Sequence, residues 1–252
     1  MPTLEIDEHI AHLEDDGKRL ARAAAAAGLD AAVPTCPGWD VRALVAHIGG
    51  VHRWACSYLT TGRTRVTSAE EDAAYFEAVA DPELVPWFRT GHAALVAAFR
   101  RASPELDCWT FLPGSVSPLA FWSRRQAHET AIHRVDAEAA AGLESECDAG
   151  FAADGIDELL CGFLARPRGR LVSDPPVALG VEATDTGRAW TLRIERDRRV
   201  ATRGAAPADC RVRGRAADLY LLLWNRRGID DRLLVEGNRD MLDLWRERAV
   251  IR

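Results

Sequence analysis

The sequence predicts a two-part chain: an all-α four-helix bundle over residues 1–148, followed by a small α+β domain over residues 149–252. Three observations carry this reading. As far as Ala141, apolar residues recur at helical spacing, with no segment that alternates like a strand. From Pro176 onward, short strand-like segments alternate with turn residues. Between them the composition shifts near Gly150, and the loop RPRGRLVSDPP separates the two patterns.

Residues 5–28 are expected to form the first helix. Leu4, Ile10, Leu13 and Leu20 supply its apolar side, and Gly28 stops it after an alanine run. VPTCPGW follows as a turn. Asp40 caps a second helix that runs to Thr61, with Val41, Leu44, Val45 and Ile48 as its apolar stripe. Gly49 and Gly50 within it mark close packing or a kink. Residues 62–70 read as a loop, 70–80 as a third helix, and DPELVP as its break. A fourth helix covers 86–102. SPELDCWTFLPGSVSP is a long connection, and a last bundle helix runs from Pro118 to Ala141, ended by Gly142.

In the second half FAADGIDELLCGFLA reads as helical. PVALGVEATD, RAWTLRIERD, RVATRG and DCRVRG read as strands. AADLYLLLWNRR is an apolar helix, LLVEGN a short strand or turn, and RDMLDLWRER a terminal helix.

A net charge of −6 argues against a nucleic-acid partner, which selects for basic surfaces. No apolar run reaches membrane-spanning length, so no membrane partner is expected. The acidic, amphipathic N-terminus lacks the form of a signal peptide, and a cytoplasmic location is the expectation. Lys18 is the only lysine among 32 basic residues; with the alanine runs, this is the composition of a high-GC bacterial genome. The six cysteines (Cys36, Cys56, Cys108, Cys147, Cys161 and Cys210) are scattered without a CxxC pair. No disulfide framework is expected, and most are read as small buried residues. Cys36 stands out because it lies close to the helix that carries His47.

The chemistry concentrates in FWSRRQAHETAIHRVDAE, residues 121–138. Glu129 and His133 are four apart, so on a helix they share a face about 40° apart. Imidazole and carboxylate on one face can hold zinc or a similar divalent ion; the same spacing also suits a plain surface pair. A zincin would need His-Glu-x-x-His. Here Ile132 occupies the second histidine position, and His128 and His133, five apart, diverge by about 140°. His47, in VRALVAHIGGVHRW on the second helix, is the candidate third ligand. Two histidines and one carboxylate leave a position open for water or a thiolate, the pattern of a catalytic zinc site. Arg125, four residues before Glu129, is either a fork for a substrate carboxylate or an ion-pair partner of Glu129. Trp122 is read as core, and His52 and His128 as supporting or surface residues. His9, His12 and His92 carry no spacing signal.

PTCPGWDVRALVAHIGGVHRW, followed by FWSRRQAHETAIHRVDAE, resembles the mycothiol-dependent maleylpyruvate isomerase family, within the wider DinB-like metal-binding bundles. The tail, ADLYLLLWNRR with LLVEGNRDMLDLWRE, is similar to that family's sterol-carrier-like C-terminal domain. The resemblance implies a divalent metal, zinc as a rule, held by His47, Glu129 and His133. It also implies mycothiol as a low-molecular-weight thiol cosubstrate and a small-molecule substrate. In such an isomerase the thiolate adds to an activated cis double bond of maleylpyruvate. Rotation about the single bond and loss of the thiol then give fumarylpyruvate. A thiol S-transferase acting on other electrophiles is equally compatible with these motifs. Two other classes stay open. One is a non-catalytic bundle that binds a small molecule or a partner. The other is a thiol-independent metal hydrolase, for which the motif lacks a general base and one would come from elsewhere, such as Asp136 or His52.

Overall fold

The computed structural model describes residues 4–77, 79–112, 114–166 and 169–249. It divides into two compact units, Met1–Phe111 with Ser115–Ser145 and Leu112–Gly114 with Glu146–Arg252.

The first unit is built on four long helices: α1 (Ile6–Ala27), α2 (Val41–Thr61), α4 (Asp81–Arg101) and α5 (Pro118–Ala140). A short α3 (Ala69–Ala73) continues into a 3₁₀ turn at Ala74–Phe76. Helix α1 packs on α5 and α4, and α2 packs on α4 and α5, so each long helix has two principal neighbours around one core. The stops read from sequence are present: Gly28 and Gly142 follow α1 and α5 at φ +83° and +69°. Asp40 caps α2 by accepting a hydrogen bond from the Ala43 amide at 2.7 Å.

Two expectations are corrected. The third helix ends at Ala73 rather than Ala80, and DPELVP does not break a helix but begins α4. Pro82 falls in the first turn, where its missing N–H forfeits no intrahelical bond, while Pro86 inside the helix forfeits one and crowds the carbonyl four residues back. Leu84, four residues before Phe88, extends the buried stripe that continues through His92, Leu95 and Phe99, and its burial offsets that loss. The glycine pair in α2 reports close packing. A Cβ on Gly49 would lie 2.1 Å from the Trp87 ring, and one on Gly50 would lie 2.3 Å from Phe76.

Helix α5 is buried on nearly all sides, which explains its mixed composition. Its charged residues are paired rather than solvated. Arg134 lies against Asp16 at 2.8 Å and donates to Glu138 at 2.6 Å, and Arg19 donates to the other Glu138 oxygen at 3.0 Å. Toward the N-terminal end of α5, Trp122 stacks on Tyr58 of α2, with ring centroids 5.1 Å apart, amid Trp54, Trp109 and Phe111. Trp122 is therefore core, as read.

The second unit holds α6 (Ala149–Asp157), running into a π-helical turn at Glu158–Phe163, then β1 (Val177–Ala183), β2 (Arg188–Ile194), β3 (Arg199–Arg203) and β4 (Cys210–Gly214). After these come α7 (Ala216–Leu223), β5 (Leu234–Gly237) and α8 (Asp240–Arg248). The five strands form one sheet in the order β3-β2-β1-β4-β5; β1 and β4 run parallel and the other pairs antiparallel. Apolar α7 packs on α6 and on β1 and β4. Buried Arg199 donates to the carbonyls of Leu164, Gly169, Leu171 and Arg166, tying that loop to the edge strand. All six cysteines are free; Cys108 and Cys210 are buried, while the other four are only half-buried, contrary to the expectation for most of them.

Candidate metal centre

Helices α2 and α5 pack against each other and between them supply all three candidate donors. His47 comes from the second turn of α2, and Glu129 and His133 from successive turns of α5. Glu129 Oε1 lies 3.5 Å from His47 Nε2 and 3.4 Å from His133 Nε2. Donor atoms of all three lie within 4.8 Å of one another. Ligands about 2.0–2.1 Å from a tetrahedral zinc stand about 3.3–3.4 Å apart, so this donor set fits a divalent ion with little rearrangement. The three side chains are 34%, 23% and 10% exposed, in the order His47, Glu129, His133.

Two of the three candidate donors, Glu129 and His133, are held from behind by charged partners. Buried Arg125 donates to Glu129 Oε2 at 2.9 Å, leaving Oε1 toward the histidines. The structure thus places Arg125 in the ion pair named as its alternative role. His133 Nδ1 lies 2.9 Å from Oδ2 of fully buried Asp136. A carboxylate only accepts, so Nδ1 donates and Nε2 is the atom turned to the site. Trp39 stacks parallel to His133 (centroids 6.1 Å, 12°) and stands edge-on to His47 (5.1 Å, 65°). Phe76 closes on His47 at 6.3 Å.

These contacts set the protonation of the metal-free site. Burial would raise Glu129, but hydrogen bonds from His133 and His47 and the Arg125 charge outweigh it and hold the carboxyl well below its usual range. Burial would likewise lower His133; its hydrogen bonds to Asp136 and Glu129 prevail and raise it to about 9. Without metal, His133 at neutral pH is an imidazolium between two carboxylates, a proton standing where an ion can bind.

The other histidines fall elsewhere. His128 is fully buried, with its ring edge-on to His9 at 6.0 Å. His52 is fully buried, 2.8 Å from Thr130 Oγ1, and burial with the nearby His92 holds it well below its usual value. Neither is a surface residue. The supports that sequence reasoning did not assign are Trp39 and Thr35, while Asp136 and Cys36 were noticed for other roles. Asp136, one turn beyond His133, carried a signal in its spacing; Trp39 and Thr35 carried only their place in the PTCPGW turn.

The family described as "Mycothiol maleylpyruvate isomerase N-terminal domain" matches residues 10–138, and that described as "MDMPI C-terminal domain" matches residues 150–244. The chain belongs to the mycothiol maleylpyruvate isomerase family. Its fold agrees. A crystal structure of the mycothiol-dependent maleylpyruvate isomerase is 16% identical, superposes with a TM-score of 0.62, and covers 93% of this chain and 95% of that one. A histidine-to-alanine mutant of that isomerase gives 14% identity and a TM-score of 0.63 over the same shares. At these identities the likeness establishes the fold alone. No curated protein sequence matches significantly. Among the described residues no helix is long and apolar enough to cross a membrane.

Proposed function

We propose that this family member is a divalent-metal enzyme, with zinc as the expected ion, that uses mycothiol to act on a small unsaturated or electrophilic substrate, as a cis–trans isomerase or a thiol S-transferase. The observation that carries it is the single Glu129 oxygen lying 3.4–3.5 Å from both imidazole nitrogens. His47, Glu129 and His133 would hold the ion. When bound, a divalent ion here supplies a Lewis acid that lets a thiol lose its proton at neutral pH.

The chain's own residues do the rest. Arg125 and Asp136 fix the directions of Glu129 and His133. Trp39 and Phe76 flank the donors and give an apolar wall to a substrate beside them. The hydrolase alternative needs a general base, and the two residues named for it are otherwise engaged: Asp136 with His133, and His52 inside the core. Turnover of maleylpyruvate and of a panel of electrophiles by the zinc-loaded protein, with and without mycothiol, tests the reading. Thiol-dependent turnover of either class is expected; thiol-independent hydrolysis would replace it with the hydrolase.

A further inference from the structure

The turn before α2 is closed on itself. Cys36 and Trp39 donate backbone hydrogen bonds to Val33 and Cys36, each at 3.0 Å, and Val33 donates to Trp39 at 3.0 Å. Gly38, at φ +87°, supplies the left-handed backbone this reversal needs. From this closed turn two side chains reach about one hundred residues along the chain to a single buried carboxylate. Thr35 Oγ1 donates to Asp136 Oδ1 at 2.6 Å, and Cys36 Sγ donates to Oδ2 at 3.3 Å. Oδ2 is also the oxygen that receives His133 Nδ1.

We propose that the Thr35–Cys36 turn is a positioning device for the metal centre, fixing the Asp136 carboxylate and, through it, the ring plane and tautomer of His133. The inference rests on the metal-centre reading above. A carboxylate held only by the imidazole is free to turn about its terminal torsion, which is broad and roughly two-fold. Thr35 anchors one oxygen and so aims the other at Nδ1. Trp39, on the same turn, lies parallel to the His133 ring and limits its rotation. At its far end the turn delivers Asp40, the cap of the helix that carries His47. One segment therefore braces both histidines, although they lie on different helices. The bland alternative is that Thr35 and Cys36 merely satisfy a buried carboxylate. That role costs stability and leaves ligand geometry alone.

Zinc titration of the demetallated full-length chain separates the two, on wild type, Thr35→Val, Thr35→Ser, Asp136→Asn and the Thr35→Val/Asp136→Asn double variant. Thermal unfolding of each metal-free form records stability separately. Partners of this kind are worth about 10–100-fold in metal affinity. Asp136→Asn is expected to weaken zinc by that range, and Thr35→Val by about tenfold at the lower end of it. Thr35→Ser keeps the hydroxyl and is expected to bind like wild type. Because Thr35 acts through Asp136, the double variant is expected to bind no more weakly than Asp136→Asn alone. Cobalt in place of zinc is expected to show displaced visible bands in Thr35→Val and wild-type bands in Thr35→Ser. Unchanged zinc affinity in Thr35→Val, or a loss that adds in full to that of Asp136→Asn, overturns the proposal. Should Thr35→Val fail to fold, Cys36→Ala takes its place with the same expectations. A wild type that takes up no zinc removes the metal-centre reading itself; a wild type that binds, beside a Thr35 variant that binds equally, removes only the positioning role.

Discussion

Glu129 is the most constrained of the three donors, with one oxygen taken by Arg125 and the other shared by both imidazoles. Arg125→Met is therefore expected to keep zinc but weaken it by about 10–100-fold, checked by competition with a chelator of known affinity. His133 gives a pH dependence whose sign differs between the two states. In the metal-free protein its pKa lies above the ordinary value, near 9. Its contribution to stability is complete below about pH 6.5 and is lost as pH rises through 9. Zinc must displace that proton, so affinity is expected to rise by about tenfold per pH unit across this window. Calorimetry in buffers of different ionisation enthalpy is expected to find about one proton released from His133 at pH 7.5. At this scale the sequence was readable where two donors lie along one helix, four residues separating Glu129 from His133; Asp136, three residues beyond His133, had a suggestive spacing but not the role of its partner. The sequence was not readable where the chain closes a long loop, as from Thr35 to Asp136. The burial of His128 was also hidden, because α5 buries paired charges as well as apolar side chains, and polar residues on it do not mark a solvent face; His52 lies on α2, and its burial against Thr130 is a contact between helices that no local pattern marks.

At the scale of the elements, the paired glycines of α2 bring neighbouring aromatic rings close to the backbone of the His47 helix. Trp87 is itself held, since Arg53 lies 3.6 Å above its ring and donates to its carbonyl at 2.8 Å. Alanine at Gly49 gains up to about 1 kcal/mol of helix propensity. Its Cβ also enters the Trp87 ring, and overpacking of this kind costs about 1–3 kcal/mol. Gly49→Ala is expected to be net destabilising, read from the urea midpoint at constant slope. The glycine pair in the sequence allowed close packing or a kink; the Trp87 and Phe76 rings against it decide for close packing. The start of α4 is not legible in the sequence, because its prolines read as breakers, whereas Pro82 sits harmlessly in the first turn and the burial of Leu84 and Phe88 outweighs the cost of Pro86.

For the whole molecule, the order of elements was legible because hydrophobic period changes from helical to alternating between the two halves, and the strands are bounded by turn residues. The sheet order was not, since the parallel pairing of β1 with β4 joins segments that no local pattern relates. All three candidate ligands and their supports belong to the first compact unit. A perturbation confined to the second unit should then reduce stability without removing the ion. Arg199→Ala leaves a cluster of loop carbonyls without their buried donor, and is expected to cost at least about 2 kcal/mol. Its zinc stoichiometry at temperatures where it remains folded is expected to equal that of wild type.

The claim on which the rest depends is that His47, Glu129 and His133 hold one divalent ion, and elemental analysis tests it most directly. Wild type and His133→Ala would be purified without added metal, then offered zinc and desalted. The account expects close to one zinc per wild-type chain and almost none in the variant. A wild type that remains free of metal after zinc is offered, or a variant that retains it in full, would contradict the account.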